Sequence, residues 1–262
     1  MTPRVVTFAT SQPEPKRSTH AARLRRLSIV IPALNEERRL PETLAIIERW
    51  CQLNLERAEI IVVDDGSADR TADVARELGA RCQPSVTVRV LRNALNRGKG
   101  ASVRAGVLSA AEPYILMTDA DLSTPIEEME KLAAAIDDSD VAIGSRAARG
   151  ADIQVHQPFH REMMGKTFNK LVQLLVTGGI RDTQCGFKLF RREVAQQIFS
   201  RTVVDRFAFD VEALYVARKL GYRIEEVPVV WRNSSASTVD PLRDAARMLL
   251  DLFRIRRLHR TN

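Results

Sequence analysis

The sequence predicts an α/β fold: a single domain with a mostly parallel central sheet and helices on both faces. From residue 27 to residue 145, short apolar runs rich in β-branched residues alternate with longer segments of helical periodicity, which is typical of parallel sheets. The apolar runs are continuous, as expected of strands that are buried on both faces. The predicted strands are 27–32, 59–64, 87–91, 114–119 and 141–145, and the helices between them are 36–51, 69–79, 100–111 and 125–137.

The second half of the chain is less regular. Helices are predicted over 161–177, 209–220 and 241–259, and the segment 181–192 is predicted to be a loop that leads to another helix. The run 224–231 is predicted to be an edge strand, because a proline such as Pro228 is confined to sheet edges. We predict a disordered basic leader over 1–26, one domain over 27–240 and a basic amphipathic helix over 241–262.

The net charge of +7 belongs to the two ends of the chain. Residues 1–26 hold six basic residues against one glutamate, and residues 243–260 hold six arginines against two aspartates. The body between them is therefore slightly acidic. This argues against a basic groove for nucleic acid through the core, and suits ends that touch an anionic surface.

The three cysteines, Cys51, Cys82 and Cys185, lie far apart in the sequence. An odd number without C-x-x-C spacing argues against a zinc site and against a disulfide framework. A reducing, cytoplasmic location is expected.

Polar residues collect where three predicted strands end, in "PALNEE" (32–37), "VVDDGSADRT" (62–71) and "TDADLSTP" (118–125). The carboxyl ends of parallel strands meet at one edge of a sheet, which is where ligands bind in such folds. Like charges repel, so stability alone explains this collection of acids poorly. A site for a cation, a polyol or a nucleobase explains it better.

Asp119 and Asp121 form a D-x-D pattern at the end of a predicted strand. Side chains two apart in a strand point the same way, and Mg²⁺ is usually bound through one or two carboxylates plus substrate phosphates. The pattern therefore suits Mg²⁺ or Mn²⁺ on a diphosphate. The alternative is that Asp121 caps the helix that follows.

Two other motifs have a structural and a functional interpretation. "DDGSADRT" is either a turn in which Asp69 caps the next helix, or a site in which Asp64 accepts hydrogen bonds from a base or ribose. "NRGKG" (96–100) departs from the full phosphate-loop pattern. It is either a tight turn at a helix start, or a segment whose Lys99 and free backbone N–H groups face a nucleotide.

These motifs, taken in order with "GSR", "DTQCGFKLFRR" and "FAFDVEALYVARKLGYRIEEVPVVW", resemble family 2 glycosyltransferases with the Rossmann-like GT-A fold. The last two segments are similar to the dolichyl-phosphate β-glucosyltransferase and polyprenyl-phosphate sugar synthase branch. The resemblance covers about residues 27–257.

The resemblance implies roles for individual residues. Those implied to bind the nucleotide sugar are Pro32, Asn35, Glu36, Asp64, Asp65, Lys99, Asp119, Ala120 and Asp121. Those implied to be catalytic are Asp119, Asp121, Arg146, Arg161 and Asp210, with Asp119 and Asp121 as metal ligands. Those implied on the acceptor side are Gln184, Lys188 and Glu212. Thr238 stands where the branch usually has a lysine, which puts a phosphate contact from that loop in doubt.

The expected reaction is the metal-dependent transfer of a hexose, with inversion, to a dolichyl or polyprenyl phosphate. The favoured donor is UDP-glucose, so that the hexose is glucose. The alternatives are a GDP-mannose-dependent polyprenyl-phosphate mannosyltransferase and a soluble enzyme that acts on a hydroxyl group. A nucleotidyltransferase is disfavoured because "PALNEERRL" contains no glycine, and the D-x-D and arginines disfavour a binding module without activity.

A lipid acceptor requires contact with a membrane, and no run approaches the roughly 18–20 apolar residues of a membrane span. Contact is therefore expected to be peripheral, on the cytoplasmic face. The helix 241–259 alternates leucines with arginines and suits an anionic surface. The alternative is a surface helix that packs its apolar side on the core. The sequence does not predict the oligomeric state.

Overall fold

The protein is built on a seven-stranded mixed sheet with the strand order β3-β2-β1-β4-β7-β5-β8, and a small parallel pair, β6-β9, lies beside it. The computed structural model describes residues 24–155, 172–173, 178–232 and 241–260. The strands are β1 Arg26–Ala33, β2 Arg57–Asp64, β3 Val86–Arg92, β4 Tyr114–Met117, β5 Val141–Ser145, β6 Asp152–Val155, β7 Lys188–Arg191, β8 Ile224–Pro228 and β9 Val230–Arg232. Neighbours in the large sheet are parallel except at β7, which runs antiparallel to both β4 and β5.

Helices cover both faces of this sheet. They are α1 Leu40–Asn54, α2 Thr71–Gly79, α3 Lys99–Ser109, α4 Met129–Ala135, α5 Arg192–Phe199, α6 Phe209–Lys219 and α7 Pro241–Leu258, with a 3-10 turn Ile126–Glu128 before α4. Alternate residues of β1 serve opposite faces: Ile29 and Ile31 belong to the cluster with α1 and α4, while Val30 joins α3 and α6. The predicted fold class and the two covered faces are confirmed.

The second half departs most from the sequence prediction. The segment predicted to be a loop contains β7, whose four residues "KLFR" are too few and too charged at their ends to show a strand pattern. The predicted edge strand 224–231 is two strands: β8 ends at Pro228 on the sheet edge, and β9 pairs with β6, which was not predicted.

Several predicted segments shift or lie outside the described residues. β1 begins at Arg26 and Leu24 is already buried, so the packed core includes residues before the predicted start of the domain at residue 27. The rest of that leader and most of the predicted helix 161–177 lie outside the described residues. The last predicted helix is confirmed as α7.

We expect Gly106→Ala to destabilise the fold, because α3 crosses the sheet closely there. A Cβ at this position would overlap the side chains of Val30 and Val63, and overpacking of this kind costs about 1–3 kcal/mol. Urea unfolding measures the loss. Gly178→Ala is the matched control, since its Cβ would meet only the Gln173 carbonyl oxygen at 3.7 Å. Equal stability of the two variants would contradict this account of the packing.

Candidate active site

The loops that follow β1 and β2 are fastened to each other at the carboxyl edge of the sheet. The Asn35 N–H donates to Ser67 Oγ at 2.9 Å, and Asn35 Oδ1 accepts from the Ala68 N–H at 3.0 Å. The Glu36 N–H donates to Thr71 Oγ1 at 2.8 Å. Asn35 has a left-handed backbone with φ +56°, a conformation that asparagine tolerates better than most residues. Asn35 and Glu36 therefore shape this edge as well as lying on it.

Asp64 is the fully buried last residue of β2. Its Oδ1 accepts from the Ser67 N–H at 2.9 Å. Its Oδ2 lies 3.1 Å from Nε of Arg92 but accepts no hydrogen bond from the residues that the structure describes, because that contact lacks hydrogen-bond geometry. Buried polar atoms are normally satisfied. The free capacity of Oδ2 fits the predicted contact with a base or ribose.

Asp65 is used differently from its neighbour. Its carboxylate accepts from Asn93 Nδ2 at 2.8 Å and from the N–H groups of Arg97 and Gly98 at 3.0 and 2.8 Å. All these donors belong to the turn before α3. Asp65 was predicted to bind the nucleotide, but the structure shows it organising that turn.

The backbone of the "NRGKG" segment has the conformation of the structural interpretation left open by the sequence. It is a turn and helix start: the Ala101 N–H donates to the Asp205 carbonyl oxygen at 3.1 Å, so this N–H is not free for a phosphate. Glycines at 98 and 100 allow this approach, because a Cβ at either would overlap carbonyl oxygens of residues 204 and 205. The Lys99 side chain, in contrast, reaches Asp119, with Nζ 2.6 Å from Oδ1.

The D-x-D acids lie in a turn rather than in a strand. β4 ends at Met117, and the predicted strand end at residue 119 is wrong. Ala120 is buried and its carbonyl oxygen accepts from Thr43 Oγ1 at 2.6 Å, which fixes the turn to α1. Asp121 Oδ1 accepts from the Ser123 N–H at 3.0 Å. The capping alternative fails, because neither the 3-10 turn that begins at Ile126 nor α4 has a side-chain cap.

The charged residues of the second half reach the same edge because β7 runs antiparallel. Its first residue, Lys188, lies opposite Met117 at the end of β4, so the segment before β7 lies at the carboxyl edge. Lys188 is buried, and its Nζ contacts both the Asp210 carboxylate and the Cys185 carbonyl oxygen. The pairing explains how a lysine is buried there.

Arg146 forms the third ion pair of the site. Its Nε and Nη2 donate to the two carboxylate oxygens of Asp182 at 2.7 and 2.9 Å, and its backbone N–H donates to Oδ2 at 2.9 Å. The guanidinium carbon also lies 5.4 Å from the centre of the Trp231 ring. Asp182 was not predicted to be a site residue. The only indication in the sequence was that this acid belongs to the segment 181–192, other residues of which were assigned to the site.

The three cations and three carboxylates act on one another. Burial alone would raise the pKa of Asp119, but Lys99, with smaller effects of Lys188 and Arg146, holds it below its ordinary value. The pKa of Lys99 is raised, since Asp119 and Asp210 outweigh the opposite effect of burial. Burial also dominates at Asp210, whose pKa is raised despite Lys188. The structure thus brings Lys99, Asp119, Arg146, Lys188 and Asp210 into one electrostatic cluster.

Gly186 is a residue of this site to which sequence reasoning gave no separate role. A Cβ built on it would overlap the carboxylate of Asp119, so the backbone of the segment before β7 lies directly against that side chain. The Cys185 carbonyl oxygen that precedes it is held by Lys188. Only glycine leaves room for Asp119 in this arrangement.

Other predicted site residues have partners outside the cluster. Glu36 pairs with Arg39, with 2.7 Å between Oε1 and Nη2. Asp121 lies near this pair, since it contributes with Glu36 to the raised pKa of Arg39.

Gln184 places Nε2 4.0 Å from Sδ of Met248 in α7. Pro32 is partly buried at the end of β1, and Arg161 and Thr238 lie outside the described residues.

Glu212 is fully buried and joins three segments. Its Oε2 accepts from the N–H groups of Val203 and Val204 at 2.9 and 2.8 Å, and its Oε1 lies 2.8 Å from Nε2 of His259. It was predicted on the acceptor side. The contacts that the structure gives it are those of a residue that ties α6 to the preceding loop and to the end of the chain.

Among the described residues, Asp119 and Asp121 fit a metal ion that a substrate also helps to bind. Within the part of the chain that the structure describes, no group of three or more His, Cys, Asp and Glu side chains could hold an ion. Asp119 and Asp121 alone supply too few ligands for Mg²⁺ or Mn²⁺. They fit the arrangement in which one or two carboxylates share the ion with phosphate oxygens.

Comparison with known proteins assigns the chain to a family. Residues 28–199 match Glycosyl transferase family 2. A dolichyl-phosphate β-glucosyltransferase from Dictyostelium discoideum is 39% identical over 241 residues, which is 88% of this chain and 73% of that protein. The Homo sapiens enzyme of the same name is 40% identical over 246 residues, 88% of this chain and 75% of that one.

The chain belongs to glycosyl transferase family 2.

Solved structures agree with this family 2 assignment at the level of the fold. Glucosyl-3-phosphoglycerate synthase from Mycobacterium tuberculosis, crystallised with Mn²⁺, UDP-glucose and phosphoglyceric acid, has a TM-score of 0.68 at 17% identity, covering 93% of this chain and 86% of that one. Mannosyl-3-phosphoglycerate synthase from Rubrobacter xylanophilus has a TM-score of 0.67 at 19% identity, covering 92% and 77%. These structures confirm the GT-A fold, and membership of family 2 together with the curated relatives makes the chain a glycosyltransferase.

In this glycosyltransferase we expect Gly186→Ala to abolish most activity without unfolding the protein. The added methyl group must displace the Asp119 carboxylate, and a misplacement of about 1 Å at a reacting centre costs on the order of 100-fold in rate. Transfer assays together with circular dichroism measure the two effects. Gly178→Ala is again the control, and near-normal transfer by the Gly186 variant would contradict the close approach.

The Arg146–Asp182 pair predicts a particular dependence of stability on pH. The pKa of Asp182 lies at about 2 instead of 3.8, because Arg146 outweighs the effect of burial. A depressed pKa contributes stability above the unfolded-state pKa that is lost as the pH falls toward the folded-state value. We expect wild type to exceed Asp182→Asn by about 2 kcal/mol or more at neutral pH, and the difference to shrink between roughly pH 4 and pH 2.

Urea unfolding of both proteins across this pH range measures the difference. Asp138→Asn, at an exposed acid, is the control and should differ little from wild type at any pH. A constant gap between wild type and the Asp182 variant would contradict the assignment.

Proposed function

We propose that this glycosyltransferase transfers glucose from UDP-glucose to dolichyl phosphate or a related polyprenyl phosphate, with inversion at the anomeric carbon and with a divalent cation. The two relatives reported above carry the name dolichyl-phosphate β-glucosyltransferase. The glucosyl-3-phosphoglycerate synthase structure reported above contains Mn²⁺ and UDP-glucose. The observation in this chain that carries the proposal is the Asp119–Lys99 pair, which places a carboxylate for a metal beside a cation for a phosphate.

The donor would lie along the carboxyl edge of the sheet. Asp64 Oδ2 has the free capacity to accept a hydrogen bond from the base or ribose. Asp119 and Asp121 would hold Mg²⁺ or Mn²⁺, which as a Lewis acid stabilises the charge of the departing diphosphate. Lys99, 28% exposed at its side chain, can contact the diphosphate as well as Asp119.

The acceptor phosphate needs orientation more than it needs deprotonation. A phosphate monoester has its second pKa near 6 and is largely dianionic at pH 7. One of its oxygens attacks the anomeric carbon while the bond from that carbon to the diphosphate oxygen breaks, and UDP departs. This single displacement inverts the configuration and requires no general base.

Arg146 suits this step through its charge and position. Arg146 is held by Asp182 on one side and retains further N–H donors for a phosphate. Asp210, which was predicted to be catalytic, is buried against Lys188, and this position suits a role in fixing the charged cluster. Arg161 stays a predicted phosphate ligand.

The proposal includes peripheral attachment to a membrane on the cytoplasmic side. The acceptor is a lipid, and the described cysteines are free thiols, as expected in a reducing compartment. No helix in the described ranges is both long and apolar enough to cross a bilayer.

Asp121→Asn tests the donor site. We expect it to lower glucose transfer to dolichyl phosphate by more than about 100-fold, because a metal ion stabilises transition-state charge by several kcal/mol. Radiolabel transfer measures the rate, and calorimetry with Mn²⁺ and UDP-glucose measures binding. Asp138→Asn is the matched control at an exposed acid. Unchanged transfer by the Asp121 variant in the presence of chelator would overturn the metal site.

A donor panel distinguishes the alternatives. Binding of GDP-mannose in preference to UDP-glucose would replace the proposed donor. Transfer to a sugar hydroxyl in preference to dolichyl phosphate would replace the proposed acceptor.

A further inference from the structure

The C-terminal helix α7 is attached to the protein by one side. Met248, Leu252 and Ile255 are buried, and they form a cluster with Val204 and other residues around the start of α6. These three positions are spaced by four and three residues, so they lie on one stripe of the helix. The opposite stripe points away from the core.

That opposite stripe is apolar at two of its positions. Leu250 is 70% exposed and Phe253 is 56% exposed, and Leu258 on the flank is 46% exposed. Isolated apolar residues on a surface are common. Here two large ones lie three apart on the outward side of one helix, where they are neighbours.

The exposed charges of residues 250–260 are all positive. Arg254, Arg256, Arg257 and Arg260 are exposed. The single acid of this stretch, Asp251, is turned partly inward. Burial and, to a smaller extent, the nearby Glu212 raise its pKa despite the opposing effect of Arg254. The outward side of the helix therefore presents apolar groups between cations, with no exposed acid among residues 250–260.

We propose that the outward stripe of α7, formed by Leu250, Phe253, Arg254 and Arg257, docks this glycosyltransferase on an anionic lipid surface. Leu250 and Phe253 enter the boundary between headgroups and acyl chains, as the apolar side of an interfacial helix does. The arginines reach back along their aliphatic stems to the anionic headgroups. The inference rests on the proposed function, because a lipid phosphate acceptor must be reached at a membrane.

Charge distinguishes this partner from a second copy of the chain. Two copies meeting through this stripe would bring their arginines together, and like charges at an interface disfavour association. An anionic bilayer satisfies both features at once.

Vesicle flotation tests the proposal with the full chain. Wild type is mixed with phosphatidylcholine vesicles that contain or lack phosphatidylglycerol, and the floated fraction is measured. We expect binding to the anionic vesicles. The double variant Leu250→Ser and Phe253→Ser should bind at least about tenfold more weakly, since each large apolar side chain gains markedly from burial. Arg254→Gln with Arg257→Gln should lose the part of binding that depends on phosphatidylglycerol.

The matched control is Ile46→Ser with Leu53→Ser. These α1 residues are also exposed, at 41% and 50%, but belong to a different surface. The control should float like wild type. Equal flotation of all variants, failure of wild type to float, or dimerisation of wild type through this stripe would each overturn the proposal.

Transfer to a short-chain, water-soluble polyprenyl phosphate without vesicles separates this proposal from the proposed function. The Leu250 and Phe253 variant should keep wild-type rates there. Transfer without flotation would overturn the docking stripe alone. Flotation without transfer to any polyprenyl phosphate would overturn the function and leave the stripe supported.

Discussion

Repulsion between carboxylates is the constraint on which the rest of the site depends. Asp119, Asp182 and Asp210 lie within one electrostatic cluster, and each is matched by a cation from another segment. At an effective dielectric of 20, two unit charges 4 Å apart interact by about 4 kcal/mol. Loss of one cation would therefore leave the carboxylates at this edge of the sheet repelling one another and destabilise their arrangement. The antiparallel β7 meets this constraint, since its reversed direction brings Lys188 and the segment before it to the edge where the parallel strands end.

The sequence was sufficient for the first half of the fold because its strands are continuous apolar runs. Strand ends at Asp64 and near Asp119 then had to share one edge. The sequence was insufficient to predict β7, because this strand is short and charged and shows no periodicity in its four residues. It also misjudged the D-x-D, because a turn fixed by Thr43 and Ala120 replaces the last extended residues. Such tertiary hydrogen bonds leave no local pattern.

Motif membership did not distinguish side chains with unused hydrogen-bonding capacity from those whose capacity is taken up by the loops of the edge. Asp64 and Asp65 are adjacent, yet one has a carboxylate oxygen that accepts no hydrogen bond from the described residues, and the other accepts hydrogen bonds on both oxygens. The same holds within "NRGKG", where the glycines serve helix docking and the lysine serves the cluster. In both cases the direction of the side chain decides, and direction depends on the loop geometry that tertiary packing imposes.

The three-way contact of Glu212 has a consequence for how the protein can be shortened. Removal of α7 and the residues after it would take away His259 and leave one oxygen of a fully buried carboxylate without its partner. It would also uncover Val204, beside the carbonyl oxygens on which the start of α3 rests. Lys99 begins that helix. A chain ending before Pro241 would thus differ at the start of α3 as well as at the surface that α7 covers, so α7 supports the packing of residues well outside its own helix.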